Sequence, residues 1–137
     1  MKDYDNLPVH LVSFSKGCVV LNQLVFQLKS LGNKGGEQLL NNISSMSWLD
    51  SGVPGNNGAY PTNEDCIQIL ANKIPNIEIH ITPYQMKDTL RVWISKEKKR
   101  FVQLLRKYKA VLKDRLYFED EVPSLDTHFA LLKSFGR

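Results

Sequence analysis

Apolar residues in this chain change period at regular intervals, and that alternation restricts the fold more than any other feature. Pro8 to Val12 is a short, nearly continuous apolar run, as expected of a strand covered on both faces. It breaks at Ser13-Phe14-Ser15-Lys16-Gly17. Val19, Val20, Leu24, Phe26, Leu28 and Leu31 then recur at helical spacing until Gly32 stops the helix. Gly35-Gly36 makes a loop, and Glu37 to Asn42 adds a helical turn. Ile43 to Leu49 reads as a second strand, and Ser51 to Thr62, rich in Gly, Pro and Asn, as a loop. Asn63 to Lys73 reads as a helix capped by Asn63. Ile77, Ile79 and Ile81 alternate with Glu78 and His80 in a strand pattern. Thr82 to Leu90 is expected to be a loop, Arg91 to Lys113 a long amphipathic helix, and Leu116 to Phe118 a last short strand. A final helix is expected from Asp126, its N-cap, to Ser134. The order β-α-β-α-β-α-β-α predicts an α/β fold: a parallel sheet of about four strands with helices on both faces.

The 137 residues make one domain, and 42% hydrophobic with 23% charged residues is ordinary globular composition. A chain of this size buries roughly two-thirds of its unfolded surface and needs no metal or disulfide to fold. Its formal charge of +4 is far below that of a dedicated nucleic-acid binder, and no nucleic acid is expected as partner. No apolar stretch is long enough for a transmembrane helix. Cys18 and Cys66 read as buried free thiols. The start, Met-Lys-Asp-Tyr-Asp, is neither a secretory signal nor an Arg-rich transit peptide. Three scattered histidines and two distant cysteines lack metal-ligand spacing, and no phosphate loop is recognisable, so no cofactor is expected.

The junction at Ser15 carries the most chemistry. A strand ends, a serine sits between small or flexible neighbours, a glycine follows two later, and a helix starts. That is the layout of a nucleophile elbow, G-x-S-x-G, with Ser13 in place of the first glycine. The serine needs a tight turn to project its hydroxyl above the sheet, and bulk two residues before or after it would clash. The N–H of Lys16 would be one oxyanion donor, aided by the helix N-terminus. The competing reading is a serine that only caps the helix. An Asp and a His follow in the chain order this arrangement uses.

The segment Phe14-Ser15-Lys16-Gly17-Cys18-Val19-Val20-Leu21-Asn22-Gln23-Leu24 resembles the elbow of the family of human chromosome 2 open reading frame 69. The resemblance continues at Trp48-Leu49-Asp50-Ser51-Gly52 and at His80-Ile81-Thr82-Pro83-Tyr84-Gln85-Met86-Lys87-Asp88. It runs on through Trp93-Ile94-Ser95-Lys96-Glu97, Phe101-Val102-Gln103, Pro123-Ser124 and His128-Phe129. Several blocks in order are far more specific than the elbow alone. The resemblance implies an α/β-hydrolase-like fold and a mitochondrial association. It covers only the C-terminal part of longer family members, so the chain is expected to supply strands five to eight of the complete sheet. The N-terminal strands, the loop with the second oxyanion donor and any targeting peptide would lie outside it. The chain alone would then be inactive, with the strand at 8–12 left as an open edge prone to self-association. A chain complete as it stands would instead be cytoplasmic.

The resemblance makes Ser15 the nucleophile and His128, beyond the last strand, the base. His10 and His80 lie inside strands and are expected to pack or hydrogen-bond there. Two acids compete. Asp88 follows the strand Ile77–Ile81, the usual station of the acid in this fold, and is preferred. Asp50, after the strand ending at Leu49, occupies an alternative station. A cap on the next helix is the ordinary role for Asp88, and a turn before Gly52 is the ordinary role for Asp50. The substrate class implied is an acyl-type small molecule or lipid: an ester, thioester or amide.

Two other classes remain open on the sequence. One is a hydrolase-fold protein that serves as a binding or scaffold module. The other is a basic-surface interaction domain. Lys96, Lys98, Lys99, Arg100, Arg106, Lys107, Lys109, Lys113 and Arg115 gather on and just after one helix. Such a run is usually a solvated helix face.

Overall fold

The computed structural model describes residues 7–33, 35–88 and 90–135. The N-terminal stretch Met1 to Asp5, which resembles neither a signal nor a transit peptide, lies outside them. The elements run β1 (Val9–Phe14), a 3₁₀ turn (Ser15–Gly17), α1 (Cys18–Asn33), α2 (Glu37–Asn42), β2 (Ile43–Leu49), α3 (Glu64–Lys73) and β3 (Asn76–Ile81). Then come α4 (Pro83–Met86), α5 (Val92–Lys107), β4 (Leu112–Leu116) and α6 (Leu125–Ser134). The four strands form one sheet in the order β1-β2-β3-β4, and every pairing is parallel.

Strand alternation divides the side chains between two faces. Met46, Trp48, Ile77 and Ile79 point to one face, which α1, α3 and α5 cover. The covering stripe of α1 is Cys18, Leu21, Val25 and Leu28, spaced three, four and three, all buried. From α5 come Ile94, Phe101, Leu104 and Leu105. Each such side chain contributes about 1.5–3 kcal/mol on full burial. Trp48 meets Phe101 edge-on, ring centroids 5.1 Å apart, and donates its indole N–H to Asn22 Oδ1 at 2.7 Å. The buried indole therefore keeps its hydrogen bond. On the opposite face a smaller cluster joins Leu49 and Tyr117 to Leu131 of α6. Glu97 of α5 ties down the long β2–α3 loop, its carboxylate accepting the backbone N–H groups of Gly58, Ala59 and Tyr60.

Four boundaries differ from expectation. β1 runs on through Ser13 and Phe14, bringing the strand to the edge of the elbow. The stretch after β3 contains α4, begun by Thr82, whose hydroxyl caps Tyr84, and by Pro83 in the first helical position. α5 ends at Lys107, because Lys109 takes φ 60° and turns the chain. Leu112 to Leu116 is then free to pair with β3 as β4. Finally, Ser124 rather than Asp126 caps α6, through a reciprocal capping box with Thr127.

The register sets up the site. Phe14 pairs with Leu49, Leu49 with His80, and Ile81 with Leu116. All four strands therefore end within one residue of one another, and the residues just beyond them emerge side by side at the C-terminal edge, where open parallel sheets gather ligands.

Candidate active site

Ser15 follows β1 directly and adopts φ 55°. A serine in the left-handed region costs of order 1–3 kcal/mol and persists only where its surroundings enforce it, and here the chain has to turn from strand to helix within three residues. The neighbours at two before and two after are compact, as the elbow requires. Ser13 is buried, and a Cβ on Gly17 would lie 3.8 Å from that of Ser13. That is ordinary van der Waals contact, so a methyl fits there. The carbonyl of Ser15 accepts the N–H of Gly52 at 3.4 Å, joining the elbow to the loop after β2.

Asp50 leaves β2 one residue beyond Leu49, beside the elbow. It too has a positive φ, 45°, a conformation that aspartate tolerates better than most residues. Its N–H donates to the carbonyl of His80 at 2.7 Å, and its side chain is fully buried. Both oxygens are occupied. Oδ1 accepts the backbone N–H of Thr82 at 2.9 Å, and Oδ2 accepts the Thr82 hydroxyl. Oδ2 also meets Nδ1 of His128 at 2.6 Å. A buried carboxylate needs this many partners to offset its lost hydration.

His128 is presented by α6, which Ser124 caps. The residue is 3% exposed. It lies between Phe14, stacked at 4.6 Å between centroids, and Tyr84, also at 4.6 Å. With Nδ1 held by Asp50, Nε2 is the nitrogen that remains for other chemistry. Ser15, Lys16 and His128 all line one cleft of about 490 Å³. No hydrogen bond joins Ser15 to Nε2 in this structure, a common state of catalytic pairs before substrate binds.

Asp88, the preferred acid on sequence, is elsewhere. Its carboxylate accepts the N–H of Leu90 at 2.9 Å and Nε of Arg91 at 2.8 Å. The Arg91 guanidinium holds its pKa below the ordinary aspartate value. The physical reason is local: an arginine three residues on captures the carboxylate before it can reach α6. Asp50, the second choice, faces the His128 ring instead. Thr82 is the residue the sequence reading missed. It stands just after β3, the station expected of the acid itself, and serves as the carboxylate's clamp.

His10, His80, Cys18 and the basic residues along α5 from Lys96 to Lys107 are not among the residues that line this cleft. His10 bonds the Ser45 hydroxyl at 2.7 Å. His80 is buried, with Nδ1 2.7 Å from the Tyr117 hydroxyl and Nε2 2.7 Å from Glu78. Burial lowers its pKa, against the raising effect of Glu78. Burial pushes the Cys18 thiol up. Lys96, Lys99, Arg100, Arg106 and Lys107 are exposed, while Lys98 pairs with Asp114. Among the described residues no group of three His, Cys, Asp or Glu side chains is placed to hold a metal ion, and no helix is long and apolar enough to cross a membrane.

No solved structure matches this chain. Among curated proteins it is 38% identical over 132 residues to "Mitochondrial protein C2orf69 homolog" of Mus musculus, covering 96% of this chain and 36% of that protein. It is 37% identical to the homolog of Danio rerio, covering 91% and 37%. It is 38% identical to "Mitochondrial protein C2orf69" of Homo sapiens, covering 91% and 33%. The chain thus spans about a third of the length of these relatives. The C2orf69 family model matches residues 1–111, including the elbow, Asp50 and Thr82, and the chain belongs to the C2orf69 family.

Proposed function

We propose that this chain carries the nucleophile, acid and base of a serine hydrolase of the α/β-hydrolase type, acting on an ester, thioester or amide. One observation carries the reading: the buried Asp50 carboxylate grips Nδ1 of His128 at the cleft into which the strained turn of Ser15 opens. In that arrangement Asp50 fixes the tautomer that leaves Nε2 unprotonated. Nε2 then takes the Ser15 proton as Oγ attacks the acyl carbon, and returns it to the leaving group. The Lys16 N–H would donate to the developing oxyanion. No metal or organic cofactor has a part in these steps. The names of the relatives support a mitochondrial location for this protein as well.

A fluorophosphonate probe tests the reading directly. The probe needs only an activated serine and not completed turnover, so it should label even a chain too incomplete to turn over a substrate, and Ser15→Ala should abolish labelling. A folded chain whose labelling is absent, or survives Ser15→Ala, would overturn it in favour of a hydrolase-fold binding or scaffold module.

A further inference from the structure

The cleft has a second polar group that the acyl-transfer steps leave unused. Arg91 lines it together with Ser15 and His128. Its guanidinium is fastened on three sides. Nε donates to Asp88 at 2.8 Å, Nη2 to the Gln85 amide oxygen at 3.0 Å, and Nη1 to the Val53 carbonyl at 3.5 Å. Those bonds employ three of five N–H groups, leaving one on each terminal nitrogen. Gln85 is itself buried, and it fits only because position 52 is glycine: a Cβ there would stand 2.2 Å from the Gln85 amide nitrogen. Arg91, Gln85 and Gly52 therefore form a built unit, joined to Ser15 through the Gly52 N–H.

The lining chemistry is one-sided. Among the described residues, the charged side chains on this cleft are Lys16 and Arg91, both cationic, and no carboxylate lines it. Phe14, Val53, Pro54, Leu125 and Phe129 supply an apolar wall. A fixed guanidinium fork with free N–H groups is the side chain best suited to hold a phosphate or carboxylate. We propose that Arg91 is a specificity-determining residue that binds an anionic oxygen group, phosphate or carboxylate, at the non-reacting end of the acyl substrate. This substrate class rests on the serine-hydrolase reading; the anion site itself does not. Asp88 accepts Nε of Arg91 through one oxygen, which an asparagine at 88 would still offer without the charge.

The test titrates the ¹⁵N-labelled chain with methyl phosphate and, separately, with butyrate, following the arginine Nε–H and backbone signals by nuclear magnetic resonance. Methyl phosphate should shift the Arg91, Gln85 and Gly52 signals with Kd on the order of 1 mM. The ratio of the two affinities tells phosphate from carboxylate. Arg91→Gln should weaken the tighter ligand at least about tenfold. Asp88→Asn removes a neighbouring negative charge and should hold or tighten it, which a merely structural cluster would not do. Equal affinity in wild type and Arg91→Gln would overturn the proposal. So would weakening in both variants, or shifts confined to the Lys98–Arg106 face of α5. Ser15→Ala should bind like wild type. Failure of fluorophosphonate labelling with intact binding therefore removes the hydrolase reading alone, and loss of binding with intact labelling removes this one alone.

Discussion

Replacing Asp50 by Asn changes almost no volume and tests the proposed triad at its most buried point. The carboxylate accepts from the Thr82 N–H, the Thr82 hydroxyl and His128. An amide can keep the first bond through its oxygen. Its NH₂ then faces the Thr82 hydroxyl, which rotates to accept, and His128 Nδ1, which accepts only if the ring carries its proton on Nε2. That is the tautomer unable to take a proton from Ser15. Loss of the correct tautomer lowers a triad's rate by about 10⁴, or about 5.4 kcal/mol of barrier. The effect on stability is far smaller. Exchanging charge-assisted for neutral hydrogen bonds costs about 1–3 kcal/mol, and relief of a buried charge offsets part of that. With at least about 5 kcal/mol to begin with, the variant stays almost entirely folded. The assay is the second-order rate of fluorophosphonate labelling at Ser15, read beside circular dichroism. Asp50→Asn should be folded and about 10³–10⁴-fold slow, and at least about a hundredfold slower than Asp88→Asn. A rate within threefold of wild type would refute the assignment of Asp50.

Thr82→Val should remove one bond to the Asp50 carboxylate and leave that oxygen short of a partner, lowering stability by about 1–3 kcal/mol in urea denaturation and slowing labelling about tenfold. Because burial depresses the His80 pKa, the unfolded chain binds more protons than the folded one as pH falls through about 6.5. The share of stability that His80 contributes is therefore present above that pH and lost as pH falls toward the folded value, and His80→Gln should flatten the stability profile there. β1 carries half-exposed Val12 and pairs on one side alone among the described residues. We expect this edge to recruit a second strand, so the chain should elute above its 15.7 kDa monomer mass, and Val12→Lys should return it toward the monomer position.

The periods of β2, β3 and α3 were legible because their apolar residues sit where the element needs them, whereas α1 was legible as a helix but not in its face: Val19, Val20 and Phe26 are exposed, and Cys18, Leu21, Val25 and Leu28 are the buried stripe. The α5–β4 boundary was not. Tyr108, Val111 and Leu112 continue the helical spacing of α5, while the break is made by Lys109 at φ 60°, a residue that carries no turn signal. α4 carried its signals in Thr82 and Pro83 but spans only four residues, too few for a period. The acid divides in the same way. That an aspartate would follow a strand end was visible at both Asp50 and Asp88. Choosing between them depended on Arg91 standing three residues beyond Asp88, and on the register that sets Thr82 against Asp50. The anion-binding cluster left no spacing signal at all, since Gly52, Gln85 and Arg91 meet only through the fold.

The nearly level ends of the four strands have a consequence for heat. Ser15, Asp50 and Thr82 come directly after β1, β2 and β3, but His128 reaches the cleft only by way of β4 and α6. β4 is an outer strand with four of its five residues exposed, against two of six in β1, the other outer strand, and the more exposed edge opens locally first. Warming should therefore withdraw the imidazole while the serine and its acid remain in register. Labelling of Ser15 would fade several degrees below the unfolding midpoint, reversibly, with amide exchange in β4 and α6 rising over the same interval.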